Sequence, residues 1–113
     1  MSDCLFCKIA NKELPAEIVE ESDGALAFKD INPGAPTHVL VIPKRHVASA
    51  QELGAEDGDL LGELFGMMAS VASSAGLDGG HRIVTNIGPD AGQSVHHLHF
   101  HVMGGRTMSW PPG

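Results

Sequence analysis

Residues 96–102 read His-His-Leu-His-Phe-His-Val, which puts four of the chain's seven histidines into seven positions. No other stretch restricts the fold so tightly. Alternate residues of a β-strand face opposite ways, so Leu98, Phe100 and Val102 make one apolar face while His97, His99 and His101 make the other. The pattern predicts a strand over 95–103 whose histidines project in a row about 7 Å apart. His96 falls on the apolar side near the start of the strand, as a structural or solvent-facing residue. A solvent-exposed polar face would accept single histidines, but three in register are not a folding requirement, because each needs a partner when buried. A three-histidine metal site fails on reach: the outer pair stand about 14 Å apart, so at most two neighbours can share an ion. The remaining reading divides the labour among one anchored, one nucleophilic and one proton-handling imidazole, which suits a group that titrates near neutrality through two distinct nitrogens.

The rest of the chain reads as α+β. Its 113 residues suit one compact domain, 1–113. Asp3 can cap a short helix over 4–11, with Leu5, Phe6 and Ile9 available for burial. Residues 17–21 and 25–30 pattern as a hairpin around Ser-Asp-Gly, and the breaker-rich 30–37 must be a loop. The run 38–43 is β-branched and apolar, as expected of a strand buried on both faces. From 56 to 75 the period turns helical, with Leu60, Leu61, Leu64, Phe65, Met68 and Val71 on one face and Gly76 as a stop. Gly58, Gly62 and Gly66 recur every fourth residue, a costly choice in a helix that predicts close backbone approach to another element or subunit. A strand over 81–87, a loop over 88–94 and a Gly/Pro-rich tail over 104–113 complete an antiparallel sheet with one long helix packed on it.

Acidic residues outnumber basic ones, giving a net charge of −7, which argues against general binding to nucleic acid or an anionic membrane. Any bound phosphate must be attracted locally, by backbone N–H groups and imidazoles. Gly88, Gly92 and the Gln93-Ser94 pair allow N–H groups to converge on such an anion beside the histidines. No apolar run approaches membrane-spanning length and the N-terminus lacks a signal-peptide layout, so a cytoplasmic location is expected. Cys4 and Cys7 form one C-x-x-C whose thiols leave the same side of the short helix. In the cytoplasm that leaves a metal site or a redox pair, and metal ligation comes first because too few residues precede Cys4 for the strand of a thioredoxin-like motif.

The segments C-L-F-C-K-I, A-F-K-D-I-N-P-G-A-P-T-H-V-L-V-I-P-K-R-H and G-Q-S-V-H-H-L-H-F-H-V-M-G-G-R resemble, over the whole length, the histidine triad (HIT) family. The terminal W-P-P-G is similar to the Hint-like branch, the purine nucleoside phosphoramidase type. The resemblance implies a HIT-like fold with a short N-terminal helix and a sheet continued across a homodimer. It implies hydrolysis of the P–N bond in purine nucleoside 5'-phosphoramidates, that is, AMP or GMP derivatives. His99 would be the nucleophile that forms a nucleotidyl-histidine intermediate, and His101 would orient the phosphate and pass a proton to the departing amine. His38 would complete the relay, and His97 would stand beside the nucleophile. Asn86, Gly92, Gln93 and Ser94 correspond to the phosphate-contacting loop, and Asp30 to the acceptor for ribose hydroxyls. Phe6, Ile9, Phe28, Ile31 and Leu40 correspond to the apolar slot for the base. Trp110, in the tail, corresponds to a residue that approaches the partner subunit's site.

The same resemblance implies a structural zinc held by Cys4, Cys7, His46 and His97 and not required for the chemistry, since relatives without the cysteines work without it. Two departures stand out. His81 and His96 occupy positions where Hint relatives often carry tyrosine, and Lys29 beside Asp30 varies within the family. Two other classes compete with the phosphoramidase: a nucleotide-binding regulatory or scaffolding dimer with vestigial activity, and a dinucleoside polyphosphate hydrolase. The intact histidine row and His38 favour a working catalyst over the first, and W-P-P-G argues against the second.

Overall fold

A computed structural model describes residues 3–113. Helix α1 (Leu5–Ala10) is followed by strands β1 (Ile18–Glu21), β2 (Ala25–Lys29) and β3 (Thr37–Pro43), the long helix α2 (Gly58–Ser74), and strands β4 (His81–Val84) and β5 (Phe100–Gly104). The five strands form one sheet in the order β1-β2-β3-β5-β4, and every neighbouring pair is antiparallel. The α+β expectation, an antiparallel sheet with one long and one short helix, therefore holds.

Each face of the sheet has its own apolar cluster. On one side, Ala25, Ala27, Val39, Val41, Phe100 and Val102 pack against Leu64, Met67, Met68, Val71 and Ala72 of α2. On the other, Leu26, Phe28, Leu40 and Ile42 pack against Phe6, Ile9 and Ala10 of α1. Strands β2 and β3 are covered on both faces, which is why 38–43 carries no hydrophobic alternation. Each fully buried Leu or Met contributes about 1.5–3 kcal/mol, so the α2 side is the larger share of the core. Glu63 ties α2 to the β1–β2 turn by accepting bonds from the Ser22 hydroxyl and from the Gly24 N–H at 2.8 Å. Those bonds hold its carboxyl below the usual range.

Several local expectations change. Strand β5 begins at Phe100 rather than 95, because the Leu98 N–H is captured by the Val47 carbonyl at 2.6 Å and the Val95 carbonyl by the Gln93 amide. Residues 95–97 therefore bend, and His97 and Leu98 are both fully buried. Strand β4 stops at Val84, short of 87, where pairing with β5 ends opposite His101. On α2, Met67 and Ala72 are in the core while Phe65 lies 49% exposed, its ring meeting Phe100 at 5.5 Å. Gly58, Gly62 and Gly66 are exposed, and a Cβ on any of them would meet nothing within 4 Å. No described element of this chain approaches that stripe.

Candidate active site and metal cluster

Strand register sets the site. Phe28, Leu40, His101 and Val84 form one row across β2, β3, β5 and β4, and His38, Met103 and Arg82 form the next. Both rows lie on the face away from α2. His99, just before β5, is 6% exposed. Its ring lies 5.1 Å from that of His101 and meets Phe6 at 5.1 Å in an edge contact.

Backbone groups determine which nitrogen of each imidazole carries the proton. A carbonyl only accepts and an amide N–H only donates. His99 Nδ1 lies 2.7 Å from the His97 carbonyl, so Nδ1–H donates and Nε2 keeps a bare lone pair. The Gly34 N–H donates to His38 Nδ1 at 2.9 Å, so the proton of neutral His38 sits on Nε2. That Nε2–H donates to His101 Nδ1 at 2.8 Å, which leaves the His101 proton on Nε2. The Asp30 carboxylate stands 3.3 Å from His38 Nε2, while its other oxygen accepts the Asn32 N–H at 2.8 Å. Burial, with repulsion from the charged forms of His99 and His38, pulls His101 down to about 4 against the opposing attraction of Asp30. His101 is therefore neutral at pH 7 in the free protein.

The metal-ligating set is equally defined. His97 Nε2–H donates to the Pro43 carbonyl at 2.8 Å, turning a bare Nδ1 toward Cys4 Sγ at 3.3 Å and Cys7 Sγ at 3.5 Å. His46 Nδ1 lies 3.3 Å from Cys7 Sγ. Burial holds His97 below its ordinary value, which keeps that lone pair available for a metal. Two thiolates and two imidazoles around one tetrahedral ion stand about 3.5 Å apart for each N–S pair, given the usual zinc bond lengths. The four donors fit that geometry, all lying within 4.8 Å of one another. Cys4 also caps α1, its Sγ accepting the Cys7 N–H at 3.3 Å. His97 thus belongs to both centres, since its ring faces the thiols and its carbonyl holds His99. Asp30, His38 and His101 also cluster closely, but at 2.8 Å the two rings share a proton rather than flank an ion.

The structure brings some expected nucleotide contacts together and separates others. Phe6, Ile9, Phe28 and Leu40 form one cluster, with the Phe6 and Phe28 rings 5.5 Å apart. Ile31 does not join it and is 91% exposed. In the 88–94 loop, Gly88 (φ 85°) and Gly92 (φ 88°) adopt the left-handed conformations that favour glycine. The converging N–H groups are largely committed, however. Gly88 donates to Gln93 Oε1, and Ala91, Gly92 and Gln93 donate to carbonyls of the loop itself. The Gln93 amide donates to Ala48 O at 2.7 Å and Val95 O at 3.1 Å, so Gln93 staples the loop. Ser94 is exposed, and among the described residues neither it nor Asn86 has an intramolecular side-chain bond. Trp110 lies 82% exposed in the tail. A cavity of about 300 Å³ opens beside the histidines, lined by His38, His101, Asn86, Met103, Arg82 and Arg106 among others. Sequence reasoning missed both arginines; only the alternation of β4, which puts Arg82 and Val84 on one face, signalled the first.

Comparison with known proteins agrees with this geometry. The family described as "Scavenger mRNA decapping enzyme C-term binding" matches residues 3–110. A HIT-like protein of Synechococcus elongatus is 50% identical over 111 residues, covering 98% of this chain and 97% of the relative. A 14 kDa zinc-binding protein of Zea mays is 47% identical over 117 residues, covering 99% of this chain and 89% of the relative. Among solved structures, a HIT family hydrolase from Legionella pneumophila superposes with a TM-score of 0.96 at 46% identity, covering 98% of this chain and 100% of that one.

Proposed function

The chain belongs to the histidine triad family, and from that premise we propose that it hydrolyses the P–N bond of purine nucleoside 5'-phosphoramidates through a nucleotidyl intermediate on His99. The observation that carries the reading is the 2.7 Å bond from His99 Nδ1–H to the His97 carbonyl, which leaves Nε2 unprotonated and oriented as a nucleophile.

In the first half-reaction His99 Nε2 attacks the α-phosphorus and the P–N bond breaks. The leaving nitrogen needs a proton. The anionic phosphate raises the proton affinity of His101, so that proton is taken up at His101 as substrate binds and is passed to the amine from Nε2. The Asp30 carboxylate, which reaches the pair through His38 Nε2 at 3.3 Å, stabilises the transient positive charge. In the second half, water attacks phosphorus, His101 accepts its proton, and His99 is released with the nucleoside monophosphate. Asn86 and Ser94 hold phosphate oxygens, Asp30 also accepts from the ribose, and Phe6, Ile9, Phe28 and Leu40 wall the base.

Zinc suits the Cys4, Cys7, His46 and His97 set, and the name of the maize relative supports it. With four protein ligands no position would be left open, so a zinc held by Cys4, Cys7, His46 and His97 would be structural, tying α1 to the site and steadying His97. A homodimer is supported by the apolar surface left uncovered at Phe65, Ile83 and Trp110 and by the exposed glycine stripe of α2. Among the described residues no helix is long and apolar enough to cross a membrane. The experiment is steady-state hydrolysis of adenosine 5'-phosphoramidate by the parent and by His99→Ala. The parent should turn over and the variant should lose at least about a thousandfold; equal rates would refute the mechanism.

A further inference from the structure

The chain has seven Lys and Arg against fourteen Asp and Glu, so cations are scarce. Lys12, Lys29, Lys44 and Arg45 are each paired with a carboxylate at 2.7–2.9 Å, and Lys8, which has no such pair among the described residues, sits in the last turn of α1 and does not line the cavity beside the histidines. Arg82 and Arg106 are different. Among the described residues neither meets a carboxylate, and both are tethered by main-chain carbonyls instead. Arg82 Nη2 donates to Ser109 O at 3.0 Å. Arg106 donates from Nε and Nη2 to Gly34 O at 3.1 and 3.0 Å, and from Nη1 to Thr107 O at 3.4 Å. A carbonyl orients a guanidinium without neutralising it, and each arginine has five N–H donors, so charge and donors remain for a ligand.

Their location gives that charge a use. Both line the cavity of about 300 Å³ that His38, His101 and Asn86 also line. Both also line an adjoining groove of about 490 Å³ with Leu77 and His81. Arg82 is in register with Met103, which is in register with His38. A group departing past His101 Nε2–H would therefore enter a space bordered by two oriented, uncompensated guanidiniums.

We propose that Arg82 and Arg106 form an anion subsite for the leaving group, selecting substrates whose departing half carries a negative charge. Within the phosphoramidase reading, on which this rests, the matching chemistry is an amino acid joined to the α-phosphorus through its α-nitrogen with its carboxylate free. The P–N bond breaks, the nitrogen takes its proton from His101, and the amino acid leaves with its carboxylate on the arginines. A phosphate leaving group offers the same charge and is separated by experiment.

The test uses two matched compounds, the adenosine 5'-phosphoramidates of alanine and of alanine amide, with ADP as the phosphate arm. The quantity read is the ratio of kcat/KM for carboxylate over amide, compared between the parent and an Arg82→Gln/Arg106→Gln double variant. Comparing ratios cancels the intrinsic difference in leaving-group basicity. Loss of charge-assisted hydrogen bonds should lower the ratio about tenfold to a hundredfold, and Arg82→Lys/Arg106→Lys should recover part of it. A fall of equal size for both compounds would mean the arginines are structural and would overturn the proposal. An arginine-dependent preference for ADP instead would support the subsite with phosphate as its anion. Binding of the same pair to the His99→Ala and His99→Ala/Arg82→Gln/Arg106→Gln proteins, by calorimetry, separates the two claims. If the parent hydrolyses neither compound, the phosphoramidase reading fails, yet an arginine-dependent preference for the carboxylate in binding still supports the subsite. The absence of that preference overturns it.

Discussion

Acidification should destabilise the fold through His101 in a way that can be measured. In the unfolded chain this imidazole titrates at 6.5, and in the folded protein it is pulled down to about 4 by burial first and by repulsion from His99 and His38 second. Folding therefore favours the neutral ring. The contribution is complete above pH 6.5, is lost as the pH falls from there toward 4, and does not change further below that. At about 1.4 kcal/mol per pH unit the full difference is on the order of 3 kcal/mol, and water around a half-buried ring reduces it to about 2. The assay is urea unfolding of the parent and of His101→Gln at pH 7.5 and 4.5, with a chelator present throughout so that metal loss is common to both. The stability difference, parent minus variant, should fall by about 2 kcal/mol between the two pH values. A change under about 0.5 kcal/mol, or one of opposite sign, would refute the assignment of His101 as a ring kept neutral by its surroundings.

Protein purified without added metal should contain close to one zinc, and Cys7→Ser should carry less than about a tenth of an equivalent and melt at lower temperature; metal analysis and thermal melts check both. Gln93→Ala removes three bonds that staple the 88–94 loop, so it should cost about 2–3 kcal/mol in denaturant unfolding. The same variant should lower turnover by displacing Ser94, whereas a variant as stable and active as the parent would show that the loop holds itself.

Much of the fold was legible because two strands carry unmistakable patterns: the apolar run ending at Pro43 and the alternation that puts Phe100 and Val102 opposite His101. The alternation extends five residues further toward the N-terminus than the strand does. The Val47 carbonyl, distant in sequence, takes the Leu98 N–H and ends the ladder at Phe100. Helical periodicity placed Phe65 in the core, yet it sits at the margin of the buried stripe, which a period alone does not locate. Gln93 shows the other limit. Its residue type suits a phosphate contact, but only the fold reveals that Ala48, Gly88 and Val95 use the whole amide. Arg82 and Arg106 lie 24 positions apart on an edge strand and a tail, so their meeting beside His38 is a property of topology. The metal set has a similar history: C-x-x-C marked two ligands, while His46 was legible only through family resemblance. The tautomers depend on Gly34, Pro43 and His97 main-chain groups, which leave no trace in residue type.

The most direct measurement is the position of the trapped nucleotide. Rapid quenching of the parent with adenosine 5'-phosphoramidate, followed by peptide mapping and nitrogen–phosphorus NMR coupling, identifies both the residue and the ring nitrogen. The account predicts a single adduct on Nε2 of His99, because Nδ1–H is held by the His97 carbonyl. An adduct on Nδ1, or on His101, would contradict it.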